Sequence, residues 1–180
     1  KRGLKGFDGN KRVKGRKRHL LVDTGGLLLE VEITAANVSD TQPVLSLFGR
    51  AKAQCPALEL VWADRGYAGS LGARTMNTCG IRLHIVTRSQ YEPPGQVSRR
   101  RWVVERTFAW LGRYRRLSKD YEFLPESSRA MIFAAMSCLM LRRLARGPLR
   151  MLQRQGHVRW QQGQRIRQLR AGEAGRHALQ

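Results

Sequence analysis

Between Arg100 and Arg116 the chain reads RRWVVERTFAWLGRYRR, six arginines around a single acid, Glu105. A carboxylate accepts hydrogen bonds and ligates hard cations, whereas guanidinium groups grip phosphate oxygens as paired donors. The stretch therefore has the parts for chemistry on a phosphodiester. A plainer use is also open: Glu105 can pair with Arg101, one helical turn back, for a few tenths of a kcal/mol. A second acid, Asp64, follows the apolar run LELVWA (Leu58 to Ala63) and precedes Arg65-Gly66-Tyr67. A carboxylate where a buried strand ends is costly unless a cation or donors meet it. Gly66 allows close backbone approach there. The alternative for Asp64 is a cap on the next helix. Mg²⁺ takes a few carboxylate oxygens together with water and substrate phosphate, so both acids are candidate ligands. His19, His84, His157 and His177 lack metal-ligand spacing. Cys55, Cys79 and Cys138 fit neither a disulfide framework nor a zinc motif. They are expected as small buried hydrophobes in a reducing compartment.

The elements that must hold these residues follow from periodicity and turn signals. Lys1 to Arg18 carries nine basic residues, one acid (Asp8) and several glycines, the composition of a flexible basic arm or a loop along a phosphate backbone. Two apolar runs flank Thr24-Gly25-Gly26, a hairpin signal. In the second run Glu30 and Glu32 alternate with Leu29, Val31 and Ile33, so one face is expected to be buried and the other wet. Asp40 and Thr41 can cap a helix with Pro43 in its first turn, running to about Cys55. Leu58 to Ala63 and Ile81 to Val86 read as strands, with a helix over Ser70 to Thr78 stopped by Gly80. Residues 90–96, with Pro93, Pro94 and Gly95, read as a mobile loop. The helix bearing Glu105 starts near Ser98, and a last helix spans about Ser127 to Arg146. Strands first, then alternating helices and strands, predict an α/β fold with a mixed central sheet. On the Glu105 helix, Val104, Phe108 and Leu111 form the apolar face, with Glu105 about 60° from Phe108 and Arg106 and Arg113 further round. From Gly147 onward, seven arginines and one acid without periodicity predict a basic appendage, weakly helical at best.

Composition narrows the partner. The 180 residues carry 34 Lys+Arg against 13 Asp+Glu, a net charge of +21, enough chain for one real hydrophobic core. Nucleic acid is the expected partner of such a surface, with an anionic membrane surface as the weaker rival. The longest apolar run, Met131 to Leu141, is short of the roughly 20 residues that span a bilayer, and the first residues do not form a secretory leader. A start at Lys1 rather than methionine suggests a fragment or a processed piece.

Three stretches together, KGRKRHLLVDTGGLLLEVEITAANVSD, LVWADRGYAG and RRWVVERTFAWLGRYRRLSKDYE, resemble the transposases of bacterial insertion sequences, in the IS5 group of the IS4-like superfamily. The resemblance covers about Lys11 to Arg146. It implies an RNase H-like fold with an Asp-Asp-Glu triad and two Mg²⁺ ions, for which Mn²⁺ can substitute. Asp64 matches the second aspartate and Glu105 the glutamate, as catalytic and metal-binding residues. Arg101 matches the arginine four residues before the glutamate. Ser98 replaces the signature tyrosine, and Gly112 the signature lysine, with Arg113 adjacent. The family's first aspartate falls ahead of Lys1, and neither Asp23 nor Asp8 matches it. The implied partner is double-stranded DNA, both element ends and target, bridged by a homodimer in the bacterial cytoplasm. No membrane is implied. Lys14, Arg16, Lys17, Arg18, Arg101, Arg106 and Arg113 are the expected DNA contacts. The implied organisation is a basic arm over residues 1–18, an N-terminally truncated catalytic domain over 19–146 and the appendage over 147–180. The complete enzyme would cleave and transfer DNA strands, while these 180 residues by themselves are expected to be inactive. The alternative reading is a remnant that only binds DNA.

Overall fold

The computed structural model describes residues 3–86, 99–146 and 157–161, without the side chains of 99–101, 146 and 157–161. Six strands form one mixed sheet. β1 (Gly6–Asp8) pairs antiparallel with β2 (Val13–Asp23), which pairs antiparallel with β3 (Leu28–Ala35). β4 (Leu60–Ala63) and β5 (Arg82–Ile85) are parallel neighbours. β2 and β4 are joined through β6 (His157–Gln161), antiparallel to β2 and parallel to β4. The helices are α1 (Val44–Gln54), α2 (Leu71–Cys79), α3 (Arg99–Gly112) and α4 (Pro125–Arg146).

Strand alternation sorts the core into two layers. Leu20 and Val22 of β2, with Val31 and Ile33 of β3, pack against Val104, Phe108 and Leu111 of α3 and Ile132 and Met136 of α4. Leu21 faces the other way, with Val61 and Ala63 of β4, onto Leu47 and Phe48 of α1 and Leu71 of α2. The result is a sheet covered on both faces, the mixed α/β arrangement that element order predicts. The hairpin at Thr24-Gly25-Gly26 forms. Asp23 Oδ1 accepts from the Gly25 and Leu27 amides at 2.8 Å each. Gly26 has φ +81°, and a Cβ there would meet Thr107 Oγ1 at 2.8 Å, so glycine is required both by backbone and by space. Gly80 ends α2 in the left-handed conformation.

Four expectations need correction. Residues 6–18 are not an arm: β1 and the first half of β2 form a hairpin. Glu30 is not on a wet face but 0% exposed. Its Oε1 accepts from Arg129 Nη2 at 2.9 Å, and its Oε2 lies 3.5 Å from Arg50 Nε. Arg129 Nε also donates to the Val31 carbonyl at 3.1 Å. Two guanidinium groups from helices on opposite faces thus meet at β3, which has β2 as its strand neighbour among the described residues. The third correction is β6 itself, a strand within the segment read as at most weakly helical. The seat between β2 and β4 offers two ladders, and backbone pairing there outweighs the weak local pattern. Finally, the thiols are not uniformly buried: Cys55 and Cys79 are half-buried and Cys138 is exposed. Residues 90–96, read as a mobile loop, lie outside the described residues.

Candidate active site

Asp64 stands at the carboxyl end of β4, opening a single 3₁₀ turn over Arg65–Tyr67. Its backbone is still extended, and its Oδ1 accepts from the Gly66 amide at 2.9 Å. One oxygen of Asp64 thus caps this short turn, not the helix α2 that follows, whose N-cap is Ser70. Along β4, Val61 and Ala63 are buried towards α1 and α2, so alternation puts Asp64 with Leu60 and Trp62 on the opposite face. That is the face covered by α3, which also lies against β6, the neighbour of β4. Glu105 is on α3, half-buried at the margin of the stripe made by Val104, Phe108 and Leu111. The two carboxylates thus belong to one side of the sheet. Among the described residues neither has an ion-pair partner. The Arg101 side chain, the plain partner considered for Glu105, lies outside the described residues.

Asp23 occupies a different place. It is opposite Val158, which is opposite Val61, so Asp64 is three residues further along the sheet, a displacement of about 10 Å along the strands. Gln161 is the β6 residue opposite Leu20, at the end towards Asp64. β6 reads His-Val-Arg-Trp-Gln and brings no acid to the middle of the sheet. Among the described residues, no three His, Cys, Asp or Glu side chains gather into a group able to hold a metal ion.

The model of the transposase DDE domain matches residues 1–141. The chain belongs to that family. A Burkholderia cepacia protein named as a transposase of insertion sequence element IS402 is 33% identical over 115 residues, 60% of this chain and 54% of that protein. The chain thus spans about half the length of the curated relative it matches. No solved structure matches.

The basic residues of this transposase-family chain fall into two groups. Arg16, Lys17 and Arg18 are 2, 8 and 5% exposed, and the expectation that they meet DNA is corrected by their internal partners. Arg16 Nε pairs with Asp120 at 2.6 Å, and its Nη2 donates to the Glu122 carbonyl. Lys17 Nζ lies 3.0 Å from Asp40 and donates to the Val38 carbonyl at 2.7 Å. Asp40 is therefore engaged by Lys17, and α1 begins at Val44 with Pro43 as its N-cap and no side-chain capping bond. Arg18 Nη1 donates to the Leu117 carbonyl at 2.8 Å. Burial pushes its guanidinium down to about 10, with Asp120 opposing and Arg16 adding to the shift. Arg106 is also used internally. It donates to the Gly25 carbonyl at 2.8 Å and lies between Trp102 and Trp110, 4.8 Å from each ring centre. Beside it, Thr107 Oγ1 donates to the Gly26 carbonyl at 2.8 Å. Together they dock α3 on the β2–β3 turn and so set the position of Glu105. Sequence reasoning missed this role; the pairing of Arg106-Thr107 with a diglycine turn is visible only once the two are adjacent. Lys14 and Arg113 are exposed, and Arg115 and Arg116 follow Arg113 in the exposed turn after α3.

Proposed function

We propose that this chain is the larger part of the catalytic domain of an insertion-sequence transposase of the IS5 group, and that Asp64 and Glu105 are two of its three catalytic carboxylates. The observation that carries the reading is their placement: Asp64 leaves the end of β4 on the face where α3 holds Glu105. The strand order β3–β2–β6–β4–β5, with β2 antiparallel and β4 parallel to the middle strand, supports an RNase H-like sheet. Carboxylates collect beyond the carboxyl ends of such parallel strands, where the chain leaves the sheet.

The donors suit a hard divalent cation. Asp64 keeps Oδ2 without a donor among the described residues, and Glu105 has no neutralising cation there. Asp64 and Glu105 would hold Mg²⁺ or Mn²⁺, with the first aspartate supplied from ahead of Lys1. The chemistry such ions would supply there is activation of an attacking oxygen and stabilisation of a leaving one. The chain's own part is to orient the carboxylates, through the Gly66 amide and the α3 docking on Gly25 and Gly26, and to bind DNA through exposed Lys14, Arg113 and Arg115. The partner is double-stranded DNA at element ends and target, bridged by two copies of the enzyme in the bacterial cytoplasm. No described helix is long and apolar enough to cross a membrane.

The second reading is a DNA-binding remnant without catalysis, favoured by a middle strand that carries no acid. One experiment separates the two. In the protein extended upstream of Lys1, Asp64→Asn and Glu105→Gln should each abolish strand cleavage at cognate ends and leave DNA affinity within about twofold, as expected of groups that act on the reaction rather than on binding. Cleavage undiminished in either variant removes that residue from the site. An extended wild-type protein that binds but never cleaves supports the remnant.

A further inference from the structure

The sheet is closed by a strand that is poorly matched to its place. β6 pairs with Leu20 to Asp23 of β2 on one side and with Leu60 to Trp62 of β4 on the other. No other described strand pairs with both. The flanking residues are apolar at consecutive positions: Leu20, Leu21, Val22 and Val61 are all fully buried. Leu20 and Val22 pack against α3 and α4, whereas Leu21 and Val61 pack against α1 and α2. A strand between them has both faces covered, and such strands read as near-continuous Val, Ile and Leu. β6 reads His-Val-Arg-Trp-Gln, polar and apolar in alternation, the pattern of a strand with one wet face. Its central residue, Arg159, is in register with Val22 on one side and Trp62 on the other. β6 also lies beyond the match to the transposase domain, which ends at residue 141.

We propose that the place between β2 and β4 is an exchangeable strand site: β6 is its weak resident, and an extended segment of consecutive apolar residues displaces it. The incoming segment runs antiparallel to β2 and parallel to β4, as β6 does. Ladder bonds are made by backbone groups that every non-proline residue carries, so any extended segment recovers those of β6. The preference comes from residue type. A charged residue in register with buried neighbours is less well matched than valine or isoleucine. Such local conflict marks an element that opens at lower free energy than the whole fold. Opening is also local in topology. With β6 detached, β1, β2 and β3 remain paired with one another, and β4 remains paired with β5. Each half of the sheet therefore keeps its own ladder while the place is empty. Gln161 is the β6 residue at the end towards Asp64, so the occupant decides what stands beside the candidate site. The exchange itself does not depend on what Asp64 and Glu105 bind.

The test uses the 180-residue protein and two fluorescein-labelled peptides, one of residues 155–163 (QGHVRWQQG) and the same peptide with Arg159→Val. Amide hydrogen exchange of the protein should find residues 157–161 at least about tenfold less protected than the β2–β3 ladder. By fluorescence anisotropy the Arg159→Val peptide should bind about tenfold or more tighter than the unsubstituted one, the scale of burying a valine side chain. Arg159→Val in the protein should protect residues 157–161, keep or raise the urea midpoint, and weaken capture of the peptides by about tenfold. A benzophenone in place of His157 of the peptide should attach to β4 near Leu60 or to the facing part of β2. Attachment to β1, β3 or β5 would mean pairing at an outer edge of the sheet and would overturn the proposal. So would equal protection of β6 and the β2–β3 ladder, no capture of either peptide, or capture that Arg159→Val in the protein leaves unchanged. A lower urea midpoint in that variant would show that Arg159 suits its place, with the same consequence. Each readout is free of DNA and metal, so failure here is distinct from failure of the transposase reading.

Discussion

Replacing Arg16 by glutamine distinguishes a cation that builds the fold from one that meets DNA. Arg16 is 2% exposed, its Nε pairs with Asp120 at 2.6 Å, and its Nη2 donates to the Glu122 carbonyl. Asp120 has an 11% exposed side chain and one further partner, Ser128 Oγ at 2.5 Å. Removing the guanidinium leaves this nearly buried carboxylate with Arg18 as its neighbouring charge and no direct ion pair, a defect of up to about 3–5 kcal/mol. With a urea dependence of about 2 kcal/mol per M, the midpoint should fall by up to about 2 M. Lys14→Gln is the control, because Lys14 is on the same strand and exposed. It should shift stability by less than about 0.5 kcal/mol and reduce the salt slope of duplex binding by about one. Adding Asp120→Asn to Arg16→Gln should recover part of the loss, as expected of residues in direct contact. The reasoning is refuted if Arg16→Gln keeps the wild-type midpoint and lowers the salt slope as Lys14→Gln does, for then Arg16 faces phosphate.

Two further perturbations probe the sheet. His19 is 0% exposed, with Nε2 2.8 Å from Thr34 Oγ1, and burial chiefly pushes its pKa down from 6.5 to about 4, with Asp40 opposing and Lys17 adding to the shift. Between those values the unfolded chain takes up a proton that the folded chain refuses, so the contribution is complete above pH 6.5 and is lost as pH falls towards 4, by at most about 3 kcal/mol; His19→Gln should flatten that part of a stability–pH curve, and an unchanged curve would count against the burial argument. A chain ending at Arg146 lacks β6 and exposes ladder edges on both β2 and β4, so it should unfold at lower urea and self-associate in light scattering; a monomer of unchanged midpoint would show that β6 does not close the sheet.

The elements that bear Asp64 and Glu105 were legible because each carries its own period. β4 is an apolar run ending on a turn, and α3 has Val104, Phe108 and Leu111 at helical spacing. The diglycine hairpin and Gly80 were legible through local backbone chemistry. The hairpin over residues 6–18 was not, because no apolar alternation marks it. Its order comes from Asp120, Asp40 and the carbonyls of Leu117 and Glu122, which are remote in sequence. Glu30 followed the alternation rule, yet the wet face it predicted is covered by α1, and Arg129 reaches the same carboxylate from α4 on the opposite face. β6 has no signature of its own: the vacancy between two strands selects it.

The burial of Arg16, Lys17 and Arg18, and the internal contacts of half-buried Arg106, change what the net charge of +21 means. The internal guanidinium groups do not rely on carboxylates alone, although Arg16 pairs with Asp120. Arginine has five donors and no acceptor, so the remaining demand falls on main-chain carbonyls. Arg18 takes that of Leu117, Arg106 that of Gly25 and Arg129 that of Val31. Each of these carbonyls is outside the helix or strand that supplies the arginine, so every such bond joins two separate parts of the fold. Several basic residues therefore serve here as internal ties, and a count of cations overstates the charge available to an anionic partner. Exposed cations include Lys5, Lys11, Arg12 and Lys14 around the β1–β2 hairpin, Arg65, Arg74 and Arg82 along the β4–β5 side, and Arg113 and Arg115 beyond α3, where Arg116 is paired with Glu122 at 2.8 Å. On the function proposed above, a DNA strand drawn to the arginines after α3 would be led towards the helix that carries Glu105. The internal ties fix where that helix sits, and the external charges decide what reaches it.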